Sequence, residues 1–370
     1  MTLENIRKIF VLGDLHLGVR NNSLEWSEIQ YDYLVNSFLN KIDEEGFDPE
    51  TDILVQVGDW NHVRESTNTR IYKLSIQIAE KFTKKFKRGV YVILGNHDVY
   101  YKDRTDTHSL AGFDKIFSNF HIFEKAEQLK VGQHKFLMLP WIENLALLKE
   151  TIAKNSSADY VFCHTDFKGF NLNKVTKLEH GLEASDIETF KRIYSGHIHI
   201  RQEKGNVLYV GTPFEMDRGD RGNEKGFYVL NLSENNISEK FVPNTVSPRH
   251  IKFEITDLLN LNLTELESIF SNNFVDIAVE SSFSQRFSIS RFTELIKELG
   301  HRRVEFISYS LDQIASRSQV ELDSTYEYNI FSILEEKLSD LNLSSYESSR
   351  ITDKFKEIYD SLRNTKHYDQ

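Results

Sequence analysis

The feature that most constrains this chain is a set of five short polar segments, each of which follows a stretch predicted to be a buried β-strand. The stretches are apolar runs rich in Val, Ile, Leu, Phe and Tyr, a composition typical of buried strands. In four of the five segments a glycine precedes the polar residue, where the backbone can turn sharply and approach another group closely. The segments carry seven side chains able to bind a metal ion, which are Asp14, His16, Asp59, Asn96, His164, His197 and His199.

The placement of these segments predicts a shared site. Polar residues at the ends of buried strands are expected on loops at one edge of a sheet, where they can meet. Within residues 14–16 and 197–199, an extended backbone would send the first and third side chains to the same face. Any one segment alone would more often be a turn or a buried core histidine. Five of them in one chain make a coincidence remote.

The types of ligand indicate which ions could bind. Carboxylate, amide and imidazole groups without a thiolate suit manganese, iron or zinc, and one carboxylate can bridge two ions. We predict two divalent ions, Mn²⁺ foremost and Mg²⁺, Fe²⁺ or Zn²⁺ as alternatives, with Asp59 as the bridge. One ion is assigned to Asp59 with Asp14, His16 and His199, and the other to Asp59 with Asn96, His164 and His197.

In this order the five segments resemble the motifs of the calcineurin-like metallophosphoesterase superfamily: Asp-x-His, Gly-Asp, Gly-Asn-His-Asp/Glu, His and Gly-His-x-His. Within it the chain is most similar to the nuclease subunits of SbcC/SbcD and Mre/Rad-type repair complexes, in particular those of T-even-like phages. The residues that carry this closer likeness are 13–18, His62, 139–141, 211–214 and 226–228, and the likeness covers residues 7 to about 243.

The resemblance implies a fold and an activity. The fold is of the α/β class, a four-layer sandwich of two mixed β-sheets flanked by helices, with a small α+β capping domain and a helical C-terminal tail. The activity is metal-dependent hydrolysis of DNA phosphodiester bonds, as exonuclease and endonuclease, in recombination and double-strand-break processing. The implied partners are DNA and an SMC-like ATPase, with a homodimer inside a heterotetramer.

Position 62 separates branches of the superfamily. Protein phosphatases of this fold carry an arginine shortly after the Gly-Asp motif, whereas this chain has His62, which resembles the nuclease branch. Asn61 stands where that branch usually has an aromatic residue. His62 could pair with the imidazole of His97, and the alternative is a loop residue without a role.

A two-metal site also suggests how the reaction would proceed. Two ions sharing a water can generate the nucleophile, so no protein nucleophile is needed. His97 directly follows the predicted ligand Asn96, so its side chain is expected beside the ions. There it could protonate the leaving sugar oxygen or stabilise the developing charge, with Asp98 or His62 setting its tautomer.

Composition narrows the class of protein. The 370 residues include 39% hydrophobic residues, which is enough for a full core and a second domain. The only cysteine, Cys163, excludes an intramolecular disulfide and is expected to be a small buried residue facing away from the ions. No apolar stretch is long enough for a membrane span, so we expect a cytoplasmic protein of a bacterial cell, in keeping with the phage-like resemblance. A net charge of −11 argues against a protein that coats nucleic acid nonspecifically.

Three regions are predicted along the chain. Residues 1–245 carry the five motifs, with helices at about 25–45 and 70–87, and a linker with two prolines lies at 242–248. Residues 249–315 resemble by position and size a capping domain that helps to select the form of DNA. The alternative is an addition that only stabilises the fold. Residues 325–370 have the apolar spacing of two amphipathic helices, which either dock on the ATPase or pack back on the chain.

Two other functions stay open at this point. A phosphatase or cyclic-nucleotide phosphodiesterase of the same fold would prefer a small phosphoester to DNA. A non-catalytic scaffold for the ATPase would be expected to lack some of the seven ligands, and none is missing.

Overall fold

The computed structural model describes residues 1–173, 176–280, 289–299 and 302–309, together with Lys354. Apart from Lys354, all of these belong to one compact unit, Met1–Ile314, and the second unit is Ala315–Gln370. Apart from Lys354, the tail predicted at 325–370 therefore lies outside the described residues. Within the described part, no helix combines the length and the apolar character that crossing a membrane would require.

The described strands form sheets of seven, six and three strands. They are β1 Thr2–Leu3, β2 Lys8–Leu12, β3 Asp52–Gln56, β4 Val90–Ile93, β5 Phe120–Phe123, β6 Glu127–Val131, β7 His134–Leu139, β8 Tyr160–His164, β9 Arg192–Gly196, β10 Gln202–Lys204, β11 Val207–Tyr209, β12 Gly226–Leu232, β13 Ile237–Pro243, β14 His250–Glu254, β15 Phe274–Glu280 and β16 Arg303–Tyr309. The helices are α1 Val19–Asn22, α2 Leu24–Tyr31, α3 Phe38–Glu44, α4 Thr69–Lys85, α5 Phe113–Ile116, α6 Leu145–Lys154, α7 Ala184–Ile187, α8 Ile255–Leu258, α9 Leu263–Phe270 and α10 Ile289–Leu299, with a π-helical turn at Asp32–Ser37 and a 3₁₀ turn at Arg218–Asp220.

Both large sheets are mixed. The six-stranded sheet runs in the order β13-β12-β2-β3-β4-β5, in which β2 to β5 are parallel and β12 is antiparallel to both of its neighbours. The seven-stranded sheet runs in the order β1-β6-β7-β8-β9-β11-β10, with β7, β8, β9 and β11 parallel. Parallel neighbours need long crossovers, and the helical stretches between β2, β3 and β4 supply them.

The two large sheets pack face to face between layers of helix. Along β2 the side chains alternate: Ile9 and Val11 join a core that also contains Phe136 and Phe162 of the seven-stranded sheet. Phe10 and Leu12 point to the other face, into a core shared with α2, α3 and α4. A third core lies between the seven-stranded sheet and α6 and α7. The predicted sandwich of two mixed sheets flanked by helices is confirmed.

The first predicted helix is interrupted. Helical structure runs from Leu24 to Glu44, close to the predicted 25–45, but its middle turn, Asp32–Ser37, is π-helical. Its apolar residues form a buried stripe, from Trp26 and Ile29 to Phe38. A π turn inserts one extra residue, which rotates the stripe so that both flanking helices keep it on the core. The second predicted helix is α4, at Thr69–Lys85.

The three-stranded sheet has its own small core. Its parallel strands β14, β15 and β16 pack on α9 and α10, with residues such as Ile277, Phe270 and Phe292 inside. The predicted linker at 242–248 is ordered at its start. Strand β13 continues to Pro243, and the Asn244 amide donates to the Lys225 carbonyl at 2.7 Å. The sheet lies in the same compact unit as the sandwich, and its separation as a domain stays a prediction.

Candidate metal centre

The seven predicted ligands are brought together from two sheets. Loops after β2, β3 and β4 of the six-stranded sheet carry Asp14 with His16, Asp59 and Asn96. The ends of β8 and β9, in the seven-stranded sheet, carry the three remaining histidines. The expectation of one sheet edge was therefore wrong. Contact between β4 and β8 across the sandwich brings both sets of strand ends to one place, which no pattern local to the sequence could indicate.

The backbone at three of the ligands is left-handed. His16 has φ 46°, Asp59 has φ 56° and His197 has φ 83°. The extended geometry predicted for residues 14–16 and 197–199 was therefore wrong. Such conformations cost on the order of 1–3 kcal/mol each and persist only where the surroundings hold them. Here the amides of Leu15 and His16 both donate to the Asp59 carbonyl, at 3.0 and 2.9 Å.

Two of the motif glycines are required by close packing. A side chain at Gly196 would collide with the Val57 carbonyl and the Asp14 carboxylate, and one at Gly95 would collide with Asp59. The glycines therefore allow the ligand loops to lie directly on one another. An alanine at either position would have to displace a ligand.

The first cluster consists of Asp14, His16 and His199, whose ligand atoms all lie within 4.8 Å of one another. The Nε2 atoms of His16 and His199 are 3.0 Å apart. Burial lowers the pKa of both histidines, that of His16 to well below its usual value. Both rings are therefore neutral around pH 7 and can offer lone pairs to an ion.

The second cluster consists of Asp59, His164 and His197, with the amide oxygen of Asn96 between the two rings. Asn96 Oδ1 lies 3.0 Å from His164 Nε2 and 2.9 Å from His197 Nδ1. The other nitrogen of His164, Nδ1, lies 2.8 Å from the Val57 carbonyl, which can only accept. The proton of a neutral His164 therefore sits on Nδ1, and Nε2 turns its lone pair towards the site.

Asp59 lies between the clusters. Its Oδ2 is 3.4 Å from His16 Nε2 and 3.3 Å from His164 Nε2. Two atoms that each ligate one ion at about 2.1 Å lie about 3.0–3.4 Å apart for bond angles between 90° and tetrahedral. The nitrogen and oxygen spacings within both clusters fall in or close to this range. Asp59 is thus placed to serve two ions at once.

The charge of the site also fits divalent cations. Asp14 and Asp59 are 0% and 1% exposed, and buried carboxylates are costly unless a cation neutralises them. Burial raises the pKa of Asp14 to about 8. Burial alone would lower the pKa of His164, but Asp59 and Asp14 outweigh it and raise that pKa to about 9. The buried carboxylates therefore favour positive charge in the site, and two divalent ions would supply that charge.

His97 lies beside the clusters. Its main-chain amide donates to Asp59 Oδ1 at 2.8 Å, and its Nδ1 lies 2.7 Å from the His62 carbonyl. The rings of His62 and His97 stack with centroids 5.3 Å apart. His62 also places its Nδ1 3.2 Å from Nδ1 of His16. Burial lowers the pKa of His62. His62 therefore contacts both a candidate ligand and the neighbouring imidazole.

Asp98 has different partners from those suggested by its place in the sequence. Its carboxylate accepts from the main-chain amides of Gly95 at 2.9 Å, Asn61 at 3.1 Å and Trp60 at 3.3 Å. Burial raises the pKa of Asp98 to about 7. The group that faces the His97 ring is the His62 carbonyl, so Asp98 joins the second and third motif loops. The Asn61 side-chain amide donates to Ser109 Oγ at 3.0 Å.

Several residues that hold the loops were not found from the sequence. Gln56 Nε2 bonds the carbonyls of Gly13 and Gly58, at 3.1 and 2.5 Å, and Gln30 does the same for Leu15 and His16. Lys225 donates to the His199 carbonyl at 2.7 Å and pairs with Asp220 at 2.5 Å. Asp166, two residues after His164, lies 3.0 Å from His197 Nε2. Polar residues inside or just after buried runs, such as Gln56 and Asp166, are the signal that could have found them.

The family model for calcineurin-like phosphoesterases matches residues 7–237. The "Exonuclease subunit 1" of Enterobacteria phage T4 is 28% identical over 322 residues, which covers 79% of this chain and 91% of that protein. A putative 5'-nucleotidase from Staphylococcus aureus superposes with a TM-score of 0.36 at 14% identity, covering 63% of this chain and 52% of the other. A putative diadenosine tetraphosphatase superposes with a TM-score of 0.30 at 13% identity, covering 67% and 98%.

Proposed function

This chain belongs to the calcineurin-like phosphoesterase family, and we propose that within the family it is a two-metal DNA nuclease. It would hydrolyse phosphodiester bonds as an exonuclease and endonuclease during recombination and the processing of double-strand breaks. The name of its T4 relative, a subunit of an exonuclease, supports this choice. The fold of the family uses divalent metals, and the described residues contain a candidate cluster for them.

The observation that carries the proposal is the contact of His62 with both His16 and His97. A protein phosphatase of this fold reads Gly-Asp-x-Val-Asp-Arg-Gly, and its arginine, which grips a terminal phosphate, stands at the position of Val63 in this chain. In this chain that loop instead contributes an imidazole 3.2 Å from His16 and a carbonyl 2.7 Å from His97. A diester has no terminal phosphate to grip, and its leaving group is a sugar oxygen that needs a proton. Histidines beside the ions meet that need.

The ligands that we assign to each ion come from the two clusters, with Asp59 serving both ions. One ion would be held by Asp59 with Asp14, His16 and His199, and the other by Asp59 with Asn96, His164 and His197. We propose Mn²⁺ for both sites, because oxygen and imidazole donors without thiolate suit it. When bound, two such ions supply the Lewis acidity that activates a water and neutralises charge on the scissile phosphate.

His97 would act as the general acid. Because a carbonyl only accepts, the 2.7 Å contact with His62 requires a proton on His97 Nδ1. In the cationic ring the second proton lies on Nε2, from which it would pass to the leaving sugar oxygen as the bond to phosphorus breaks. The amide bond to Asp59 Oδ1 fixes the position of this ring relative to the ligands. Asp98 would contribute indirectly, by joining the loops that carry Asp59 and His97.

The basic side chains of this chain would supply few of the contacts with DNA. The net charge is −11, and several basic residues that lie close together in the sequence are paired with acids. Examples are Lys85 with Asp43 at 2.6 Å and Lys87 with Glu50 at 2.9 Å. We therefore propose that the ions hold the scissile phosphate and that a partner supplies further contacts. The partner is an SMC-like ATPase bound through residues 325–370, with two copies of each chain in the complex.

The three-stranded sheet would form the core of the capping domain at 249–315. It lies against the loop that follows the last motif, since Arg218 and Arg221 of that loop both bond Asp276 of β15. This contact would let the capping domain respond to DNA bound at the metal centre.

One experiment tests the proposal directly. Purified protein is incubated with Mn²⁺ and linear DNA labelled at one end, beside p-nitrophenyl phosphate as a monoester. Cleavage of the DNA in preference to the monoester is expected. Turnover of the monoester with intact DNA would indicate a phosphatase instead.

A second experiment addresses the partner. A chain lacking residues 325–370 should cleave DNA with Mn²⁺ but no longer co-purify with the ATPase. If the ATPase still co-purifies, the assignment of this region is wrong.

A further inference from the structure

His197 has polar contacts at both nitrogens of its ring. Nδ1 lies 2.9 Å from Asn96 Oδ1, inside the second cluster. Nε2 lies 3.0 Å from Oδ1 of Asp166, outside it. An imidazole can ligate an ion through Nδ1 only if the neutral ring keeps its proton on Nε2. Whatever faces Nε2 therefore decides whether His197 is ready to bind.

The Asp166 carboxylate is held firmly in that place. Its side chain is 15% exposed, and its main-chain carbonyl accepts from the Leu182 amide at 2.9 Å. Gly181 packs so closely on it that a side chain there would collide with the Asp166 backbone. Within the part of the chain that the structure describes, Oδ1 is buried and makes no hydrogen bond of good geometry, and it pairs with His197 Nε2 at 3.0 Å. A buried carboxylate oxygen without a donor is unfavourable, so the imidazole proton is drawn to this side.

We infer that Asp166 is a positioning residue, which holds His197 in the tautomer that leaves the Nδ1 lone pair for the second ion. The inference rests on the proposed function, because it presumes that the second cluster binds a metal. A carboxylate, histidine and metal in a row are a recurring arrangement in proteins, in which the carboxylate fixes the ring and raises its basicity. In this chain the Val57 carbonyl does the same for His164, at 2.8 Å from Nδ1. The two histidines of the second cluster are thus oriented by different means, one by main chain and one by a side chain that can be replaced.

The effect of Asp166 should be confined to one ion. Among the candidate ligands Asp166 lies against His197, which belongs to the second cluster, while the first cluster is formed by Asp14, His16 and His199. Its other oxygen, Oδ2, lies 3.3 Å from Nε2 of His180, whose side chain is 73% exposed. Losing the carboxylate should therefore weaken the second ion and spare the first.

The test is a metal titration and does not depend on activity. Metal-free protein is titrated with Mn²⁺, and the free ion is followed by electron paramagnetic resonance. Two ions should bind to the wild type. In Asp166→Asn, the amide can donate as well as accept and no longer selects a tautomer, so one of the two steps should weaken roughly 10- to 100-fold. Asp166→Glu keeps a carboxylate and should recover part of the loss.

Two variants serve as controls. Glu124→Gln removes a carboxylate that pairs with a different histidine, His108, at 3.2 Å, and His180→Gln removes the exposed partner of Asp166. Both should bind two ions with wild-type affinity.

The outcomes separate this inference from the proposed function. If wild type binds two ions and Asp166→Asn binds both as tightly, Asp166 has no positioning role and the inference is overturned. Equal weakening of both steps also overturns it, since that indicates general damage. If wild type binds no Mn²⁺, the two-metal proposal itself fails, and this inference fails with it.

Discussion

The Nε2 atoms of His16 and His199 lie 3.0 Å apart at the centre of the first cluster. The same nitrogen of His16 is 3.4 Å from Asp59 Oδ2, so three groups that carry lone pairs converge. Burial lowers the pKa of both histidines, which keeps their lone pairs unprotonated around neutral pH. Lone pairs that face one another repel, and a cation between them removes this repulsion.

Asp59 lies between the two clusters, which makes the metal stoichiometry of variants informative. Asp59→Asn should bind neither ion tightly, because the variant loses the charge that faces both His16 and His164. Asp14→Asn should lose only the first ion, because Asp14 belongs to that cluster. Metal content after dialysis against Mn²⁺, measured by plasma mass spectrometry, checks both. Asp52→Asn is the control, since Asp52 is equally buried but belongs to neither cluster. One retained ion in Asp59→Asn would contradict the bridging role.

Catalysis should be separable from metal binding at His97. Asn can still donate to the His62 carbonyl from its amide, but it cannot transfer a proton at neutral pH. His97→Asn should therefore lower the rate of DNA cleavage roughly 100- to 10,000-fold while both Mn²⁺ ions remain bound. Cleavage is measured with end-labelled DNA and binding by titration. His121→Gln, a half-buried histidine stacked on Tyr91, should cleave normally. A His97→Asn enzyme of near wild-type rate would remove His97 from the reaction.

The ion pair of Lys225 and Asp220 should be a major source of stability. Its side chains are 4% and 3% exposed, and removing one partner of a buried pair strands the other charge. Lys225→Met should lower the free energy of unfolding of the metal-free protein by about 3–5 kcal/mol. The double variant with Asp220→Asn should recover much of that loss. Urea unfolding followed by far-ultraviolet circular dichroism checks both. No difference between single and double variants would show that the pair is not the source.

The attachment of the three-stranded sheet should depend on pH. Burial would raise the pKa of Asp276, but its bonds to Arg218 and then to Arg221 outweigh that and lower it. A carboxyl with a lowered folded pKa stabilises the fold above its unfolded value of about 3.9, and the contribution is lost as the pH falls through the folded pKa. Asp276→Asn should therefore be less stable than wild type at pH 7, by about 2 kcal/mol.

The difference between Asp276→Asn and wild type should shrink as the pH falls below about 4. Hydrogen exchange of β14 and β15 at pH 7, and urea unfolding from pH 7 down to 3, measure this. Asp257→Asn, an exposed residue of the same region, provides the control. A difference that stays constant with pH would exclude the ion pairs as its cause.

Much of the candidate site could be predicted because its metal-capable side chains occur in short segments of the sequence. The seven predicted ligands lie close together in two clusters, with Asp59 between them. That these groups hold ions remains a prediction. Strand positions were also predictable, since runs such as Ile9 to Leu12 alternate between two cores. Both kinds of information depend on residues close together in the chain.

Other features of the site were not predictable because they depend on residues far apart. The carbonyl that faces His97 comes from His62, and any residue at that position would provide a carbonyl. The left-handed backbone of Asp59 and His197 depends on what packs around them, since Asp and His adopt it more often than most residues but only in a small minority of positions. The partner of Lys225 and the approach of Asp166 to His197 appear only when the loops meet.

By itself, the sequence determined which groups could serve the chemistry, in which order they occur and on which strands they end. This is because ligand type, strand pattern and glycine position are local properties of the chain. The tertiary structure alone decided that two sheets, not one, deliver the ligands. It also decided which nitrogen of each contacted histidine faces the site, because that depends on acceptors such as the Val57 carbonyl, more than a hundred residues from His164.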